Sequence, residues 1–542
     1  MYTQLHVGWS NFLFSGWAGD GERGIKSQLC NKSKSNHMKT FTLKLKYLLL
    51  LGFLFFQYFS KAQTAFPIQI TNNTGYADSN VYVAVVGQKL NAAKDYVWLD
   101  LSNGQQNLMD TADNTILGPP NSGPNGSSYF ADCFMKLSDI PNKSFPIEGI
   151  QGCRIYLSLG SQLYLYFFEQ DTVKGYAGPN PLNPNDPNAG ILYEFIELTY
   201  DNTGFYANTS RVDSYHRSIG LGLTSNSGNT YVRVGELLDY QTITSKFSTL
   251  APSDFSGCLD ATSGVISQPS KTPAYFNNNG PHHNYFKSYI DSIWSKYTNE
   301  DLLFKAGNLG KWKGRVSNDS LIFTCDSCAT GNQNLTGTIT RKPTTIEVID
   351  GSGVLASGSD MDKNMQKEIC AAINRHVINV TTPNIGLQIW SDSSKYYKTF
   401  PYNWYAKFWH SYGVSINNLS YGFAYDDVFN QSSSIKSTTP DSMRIFFGNQ
   451  NITSTPEITV QSHDVFIYPN PIRDVIHFDL NGVNTSDLSV AFYEVGSGKL
   501  IWQQKLHGNT LQLPNHIKSG VYVSQLVNSQ HEILKVQKLL VE

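Results

Sequence analysis

Between Phe66 and about Tyr240 the chain is cut into short apolar runs by loops of glycine, proline and asparagine, and this punctuation holds it to a β-rich fold. Val81–Val86 (VYVAVV), Cys153–Leu159 (CRIYLSL) and Gln162–Phe168 (QLYLYFF) are rich in β-branched and aromatic residues with partial period-two alternation, the pattern of half-buried strands. Gly118–Gly126 (GPPNSGPNG) and Gly178–Pro187 (GPNPLNPNDP) are loops by composition. A length of 542 residues suits two to four such domains. Charged residues make up only 15% of the chain, against about 25% for an average soluble domain. With 41 Lys and Arg balancing 43 Asp and Glu, and no basic stretch beyond the extreme N-terminus, the chain lacks the clustered cations that bind nucleic acid. Such an uncharged, aromatic surface suits neutral ligands such as sugars.

The N-terminus is expected to be a leader. Lys39, Lys44 and Lys46 precede the apolar run Tyr47–Phe59, and Ser60-Lys61-Ala62 matches a small-x-small cleavage site. The run is short of the ~20 residues that span a bilayer. Residues 38–62 therefore read as a signal peptide starting at Met38, and residues 1–37 as an upstream extension. Cysteines fit an exported chain. Cys133 with Cys153 is a plausible local bridge, and Cys325-x-x-Cys328 reads as a tight disulfide, because no second cysteine or histidine pair stands at zinc spacing.

Residues 241–450 read as mixed α/β. His283–Tyr297 and Asp360–Val377 carry apolar residues at helical spacing, and Trp404–Ser411 is a short third helix. Strands are expected at Ser320–Cys325 and Thr336–Val348. Residues 451–464 form a Ser/Thr-rich linker, and residues 465–542 a compact run of short strands. That last segment opens with Phe466–Ile472 (FIYPNPI), continues through Ile517–Val523 (IKSGVYV) and ends with Lys535–Val541 (KVQKLLV). It resembles the C-terminal sorting domain of the type IX secretion system. The resemblance implies a small β-sandwich, a partner in the export machinery, and a secreted or cell-surface destination reached through periplasm and outer membrane.

The chemistry is sought in Ile191–Leu223, ILYEFIELTYDNTGFYANTSRVDSYHRSIGLGL. Isolated acids on an uncharged, alternating strand are carboxylates held rigidly, which suits acid–base work. Glu194 and Glu197 stand at odd spacing and should face opposite sides of one strand. No GxSxG elbow exists for a serine hydrolase, Gly220-Leu221-Gly222 is not a phosphate loop, and His531-Glu532 lacks the second histidine of a zinc motif. Glu197-Leu198-Thr199, Asn208-Thr209-Ser210 and Val212-Asp213, followed by Tyr285-Phe286, Asn374-Arg375-His376, Asn403, Tyr405-Ala406, His410 and Tyr421–Val428 (YGFAYDDV), together resemble glycoside hydrolase family 64, the β-1,3-glucanases. The resemblance spans residues 66–448. It implies a thaumatin-like β-barrel or sandwich facing a mixed α/β domain across a wide cleft, in a crescent. It further implies an inverting endo-β-1,3-glucanase acting on laminarin-like polymers, with Glu197 as general acid and Asp213 as general base. The acid must then hold its proton near neutral pH, with burial or a neighbouring carboxylate to help it.

A tight hairpin at Asn202-Thr203 would pair Glu197 with Asn208 and leave Asp213 five residues further on, about 17 Å away and on the other face. The catalytic reading therefore predicts a longer loop or bulge between Tyr200 and Ser210. Thr199, two residues from Glu197, is the first candidate for sugar contact. Asp201 and Tyr206 follow, and Asn208 either joins them or holds the loop through an Asx-type bond. Trp404, Tyr425 and Asp426, with Tyr405, His410 and Asp427, are candidates for the opposite wall, unless they serve core packing and capping. Paired Asp426-Asp427 is weak evidence for calcium. No metal or organic cofactor is called for, and a monomer is expected. The competing reading is a non-catalytic β-glucan-binding surface protein on the same scaffold, which would not need two opposed carboxyls.

Overall fold

Strands whose apolar residues alternate build two sheets that share one core. The computed structural model describes residues 65–448 and 466–542, apart from short stretches at 171–172, 273–274, 278, 329–330, 333, 481–487, 495–499 and 529–532. The expected extension, signal peptide and linker lie outside the described residues. The chain forms two units, the smaller carrying the C-terminal segment.

In the larger unit a five-stranded sheet runs Thr230–Gly235, Ile219–Ser225, Pro440–Gly448, Phe66–Asn73, Ser144–Ile147. An eight-stranded sheet runs Ser434–Ser437, Gly204–Thr209, Leu192–Asp201, Ile150–Leu159, Val81–Lys89, Tyr96–Asp100, Gln105–Leu108, with Met135–Lys136 pairing beside Val81–Lys89. Ile68, Val83, Ile155, Ile196, Leu221 and Ile445 meet between them in one buried core. The last two sandwich strands come from residues 434–448, within the span read as mixed α/β. The mixed region is thus an excursion out of the sandwich. Pro440–Gly448 returns parallel to Phe66–Asn73, a pairing of chain ends that no local pattern announces.

The excursion holds an antiparallel sheet, Leu302–Lys305, Gly310–Ser317, Ser320–Cys328, Thr336–Ile339, and helices at Tyr240–Leu250, Lys287–Asn299, Thr345–Asp350, Asp360–Arg375 and Trp404–Trp409. Thr336–Val348 is not one strand. Its second half is helical because Thr344 and Glu347 form a capping box that outweighs the β-branched residues after it. A second core gathers Ile243, Phe247, Trp294, Phe304, Ile369 and Trp409.

Cys325 and Cys328 are bonded. Cys133 and Cys153 are not, and both are buried as free thiols. Cys153 enters the core between the sheets, whereas Cys133 belongs to a separate cluster with Tyr156, Tyr193 and Phe195 on the outer face of the eight-stranded sheet. The sheet itself separates them.

The smaller unit packs two sheets on one core. Phe466–Tyr468, Val475–Asp479 and Thr510–Gln512 face Leu500–Lys505, Ser489–Glu494, Gly520–Val527 and Ile533–Val541. Ile467, Phe478, Val490, Phe492 and Leu526 fill the space between.

Candidate active site

On the strand Leu192–Asp201, Ile196, Leu198 and Tyr200 enter the sandwich core, so Phe195, Glu197, Thr199 and Asp201 face outward. The strand pairs with Gly204–Thr209 in a tight hairpin: Asp201 stands opposite Gly204, Thr199 opposite Tyr206, and Glu197 opposite Asn208. The longer loop or bulge expected between Tyr200 and Ser210 is absent. Asp201 instead closes a two-residue turn, its carboxylate accepting from the Thr203 N–H at 2.8 Å and the Thr203 hydroxyl at 2.6 Å. Gly204 is required there: it has φ of 141°, and a Cβ would sit 2.3 Å from the Ser437 carbonyl.

Thr199, Tyr206 and Asn208 therefore share the outer face with Glu197. Asn208 is buried, and among the described residues its Oδ1 has no hydrogen-bond partner. It does not hold the loop through the Asx-type bond considered from sequence. On the other side of Glu197 stands Arg154, directly opposite it in register on Ile150–Leu159. Arg154 donates to Glu197 Oε1 from Nη2 at 2.9 Å and from Nε at 3.2 Å. The expected neighbour of the acid was a carboxylate or an apolar wall, and the observed neighbour is a guanidinium.

Asp213 reaches the same face by a different route. The hairpin ends at Thr209, and the chain bends at Val212 and Asp213. Just before the bend Arg211 turns inward. Its Nη1 donates to Glu194 at 2.5 Å, and its Nε and Nη2 donate to the two oxygens of Glu236 at 2.8 Å each. Glu194 also accepts from the N–H groups of His216 and Arg217, both at 2.8 Å. Glu194 is thus the anchor of the turn that carries Asp213, sealed on the inner side of the strand as its spacing from Glu197 required. Past the bend, Asp213 acts electrostatically on Tyr193 and on Arg154, both residues of Glu197's face. Its backbone carbonyl accepts from the Gln268 N–H at 2.9 Å, and its carboxylate lies 3.8 Å from Lys271, which also pairs with Asp350 at 3.4 Å.

The residues proposed for the opposite wall are mostly interior. Trp404 packs against Phe247, Phe255 and Phe408. Tyr425 is buried, with its hydroxyl donating to the carbonyls of Leu355 and Gly351. Asp426 is fully buried between Arg375 at 3.0 Å and His410 at 2.7 Å. Burial alone would raise its carboxyl pKa, but His410, Arg375 and the Gly422 N–H more than offset this and hold it below the ordinary value. All three side chains are thus interior. From the same segment comes Tyr421, which is half-buried and interacts electrostatically with Glu197, and whose carbonyl accepts from the Arg211 N–H at 2.9 Å.

Comparisons with known proteins decide the family. A family model described as Beta-1,3-glucanase, glycoside hydrolase family 64, matches residues 64–447. The chain belongs to that family. It is accordingly a glycoside hydrolase. The crystal structure of a β-1,3-glucanase domain of this family from Clostridium beijerinckii is similar with a TM-score of 0.63 and 32% identity, over 71% of this chain and 98% of that one. A laminaripentaose-producing β-1,3-glucanase from Paenibacillus barengoltzii, complexed with laminarihexaose, is similar with a TM-score of 0.52 and 27% identity, over 71% of this chain and 75% of that one. A glucan endo-1,3-beta-glucosidase from Cellulosimicrobium cellulans is 21% identical over 408 residues, 73% of this chain and 67% of that one. Residues 466–542 match a secretion system C-terminal sorting domain, which gives this family 64 chain a secreted or cell-surface destination.

Arg154 and Lys271 were not among the candidates, and Tyr421 entered only as part of the matched segment Tyr421–Val428. Arg154 carried a usable signal. It is the one charge in the apolar run Ile150–Leu159, the same mark that singled out Glu197. Lys271 carried none, and the placement of both Lys271 and Tyr421 depends on how the mixed region folds back on the sandwich.

Proposed function

We propose that this chain is an exported, inverting endo-β-1,3-glucanase that hydrolyses laminarin-like polymers, with Glu197 as general acid and Asp213 as general base. The observation that carries the reading is that two carboxylates from different segments bear on one guanidinium: Glu197 through hydrogen bonds and Asp213 through space. In this scheme Glu197 protonates the departing glycosidic oxygen while Asp213 takes a proton from a water attacking C1 on the opposite face of the ring. Inversion needs the carboxyls about 6.5–9.5 Å apart, with room for that water. The separate anchoring of the two acids, one on a sheet and one on a turn tied to Gln268 and Lys271, supports a fixed spacing.

Thr199, Tyr206 and Asn208 are proposed as sugar contacts. Asn208 is buried and its Oδ1 has no hydrogen-bond partner among the described residues, so its contact requires that oxygen to be uncovered as the sugar binds. Asp201 is proposed to shape this edge of the site from its turn. Trp404, Tyr425 and Asp426 are proposed to act through the wall they support. The sandwich and the mixed region are proposed to be the two arms of a thaumatin-like crescent whose cleft takes an extended glucan. The protein is proposed to act as a monomer, to enter the periplasm by a signal peptide at residues 38–62, and to be released or displayed through the type IX machinery.

The test is reducing-sugar release from laminarin by wild type, Glu197→Gln and Asp213→Asn. Each variant is expected to lose about 10²- to 10⁴-fold in kcat. A fully active Glu197→Gln variant would remove the acid assignment, and an inactive wild type would favour a glucan-binding role.

A further inference from the structure

Glu197 receives both of its hydrogen bonds from one residue and on one oxygen. Arg154 Nε and Nη2 converge on Oε1 at 3.2 and 2.9 Å, and among the described residues Oε2 has no hydrogen-bond partner. This differs from the side-by-side pairing in which an arginine fork engages both carboxylate oxygens. The guanidinium is itself held. Its carbon lies 4.7 Å from the centre of the Phe195 ring, and Nη1 is 3.4 Å from the Tyr156 hydroxyl. Backbone pairing of Ile150–Leu159 with Leu192–Asp201 sets the two residues directly opposite each other.

We propose that Arg154 is a positioning residue for the hydrolysis: it locks the Glu197 carboxyl by Oε1, so that Oε2 alone faces the glycosidic oxygen and delivers the proton. The proposal rests on the reading of Glu197 as general acid. In the step, the proton leaves Oε2 for the glycosidic oxygen as the C1–O bond breaks and its electron pair stays on that oxygen. Water forms the new bond to C1 and gives a proton to Asp213. Glu197 is left as a carboxylate facing Arg154. Arg154 stabilises the negative charge that grows on Glu197 as the proton departs. It is already in place when that charge develops, which is the condition for electrostatic catalysis. The titratable and charged groups near this pair are Tyr156 on the strand of Arg154, Tyr176 on Val173–Ala177, Tyr206 on the hairpin partner, Tyr421 from the mixed region, and Asp213, which acts on Arg154.

A pair of substrates separates positioning of the acid from general damage. One is a linear β-1,3-glucan, whose leaving group needs a proton. The other is a 2,4-dinitrophenyl β-laminari-oligoside, whose leaving group does not. Arg154→Gln is expected to lower kcat on the glucan about 100-fold, with KM changed less than about twofold, and to lower kcat on the dinitrophenyl substrate less than about fivefold. Arg154→Lys keeps the charge without the fork, so its loss should be about tenfold and confined to the glucan. Equal losses on both substrates, or a change in KM alone, would overturn the proposal. Glu197→Gln is run alongside: full glucan activity in that variant would sink the acid assignment itself, whatever Arg154 does. If Arg154→Gln fails to fold by near-ultraviolet circular dichroism, Arg154→Lys on the same two substrates decides.

Discussion

Two glutamates three residues apart on one strand are each paired with an arginine, and the two pairs do opposite work. Glu194 and Arg211 are sealed, their side chains 3% and 1% exposed, and Glu194 is surrounded by donors. Glu197 and Arg154 are half-open, at 29% and 25%, with one carboxylate oxygen unused. The strand's alternation makes the difference, sending Glu194 inward and Glu197 outward. A carboxylate with every oxygen occupied can hold a turn in place. One with a free oxygen at an accessible face can exchange a proton. The sealed pair anchors the turn on which Asp213 rides, so the inner pair positions the proposed base while the outer pair contains the proposed acid.

Exchanging the damage between the pairs tests this most severely. Glu197→Gln should cost about 10²- to 10⁴-fold in activity while its unfolding free energy stays within about 0.5 kcal/mol of wild type, as for an ordinary surface change. Arg211→Ala should do its damage through stability, losing about 3–5 kcal/mol because two buried carboxylates are left without their cation. Urea unfolding and laminarin assays on both variants check it. An Arg211→Ala protein of wild-type stability would break the comparison.

The anchor should also give the protein a pH signature. His216 is buried beside Arg211 and Arg217, and its Nδ1 accepts the Tyr193 N–H at 3.2 Å. Burial first, and then the two arginines, hold its pKa down at about 3, against 6.5 for an ordinary imidazole. The unfolded chain therefore binds a proton that the folded chain refuses between those values. Stability should fall as pH drops from about 6.5 towards 3, with this group contributing up to about 1.4 kcal/mol per unit. Unfolding of wild type and His216→Asn from pH 7 to pH 4 measures it, and the variant should show the shallower slope.

Smaller effects sharpen the outer face. Thr199→Val should raise KM for laminarin about two- to tenfold with kcat little changed, the worth of one hydrogen bond to a sugar hydroxyl. Cys133, Cys153, Cys258 and Cys370 are buried and free, and burial pushes their thiols up, so iodoacetamide at pH 8 should label them only after unfolding. Native labelling of Cys133 would mean that the outer cluster beside Phe195 opens.

Much of the site was legible where one strand's own alternation decides it. The opposed facing of Glu194 and Glu197 and the shared face of Glu197 and Thr199 follow from period two, whereas Tyr206 and Asn208 join that face through the two-residue turn that had been set aside for a longer loop. What stayed hidden depends on contacts distant in sequence. Arg154 meets Glu197 from 43 residues away. The change of face at Val212-Asp213 is imposed by Arg211 reaching Glu194 and Glu236. The helix at Tyr240–Leu250 went unread, although Asp239 caps it through the Thr242 N–H. For Trp404, Tyr425 and Asp426 the sequence left a sugar-facing wall and core packing both open, and the packing of the mixed region shows them to be interior.

The central claim is that Glu197 and Asp213 act on opposite faces of the sugar in a single displacement. Proton NMR of laminarin digestion in its first minutes, before mutarotation, reads this directly. The account predicts that newly formed reducing ends appear first as the α-anomer. Reducing ends that appear first as the β-anomer would contradict it.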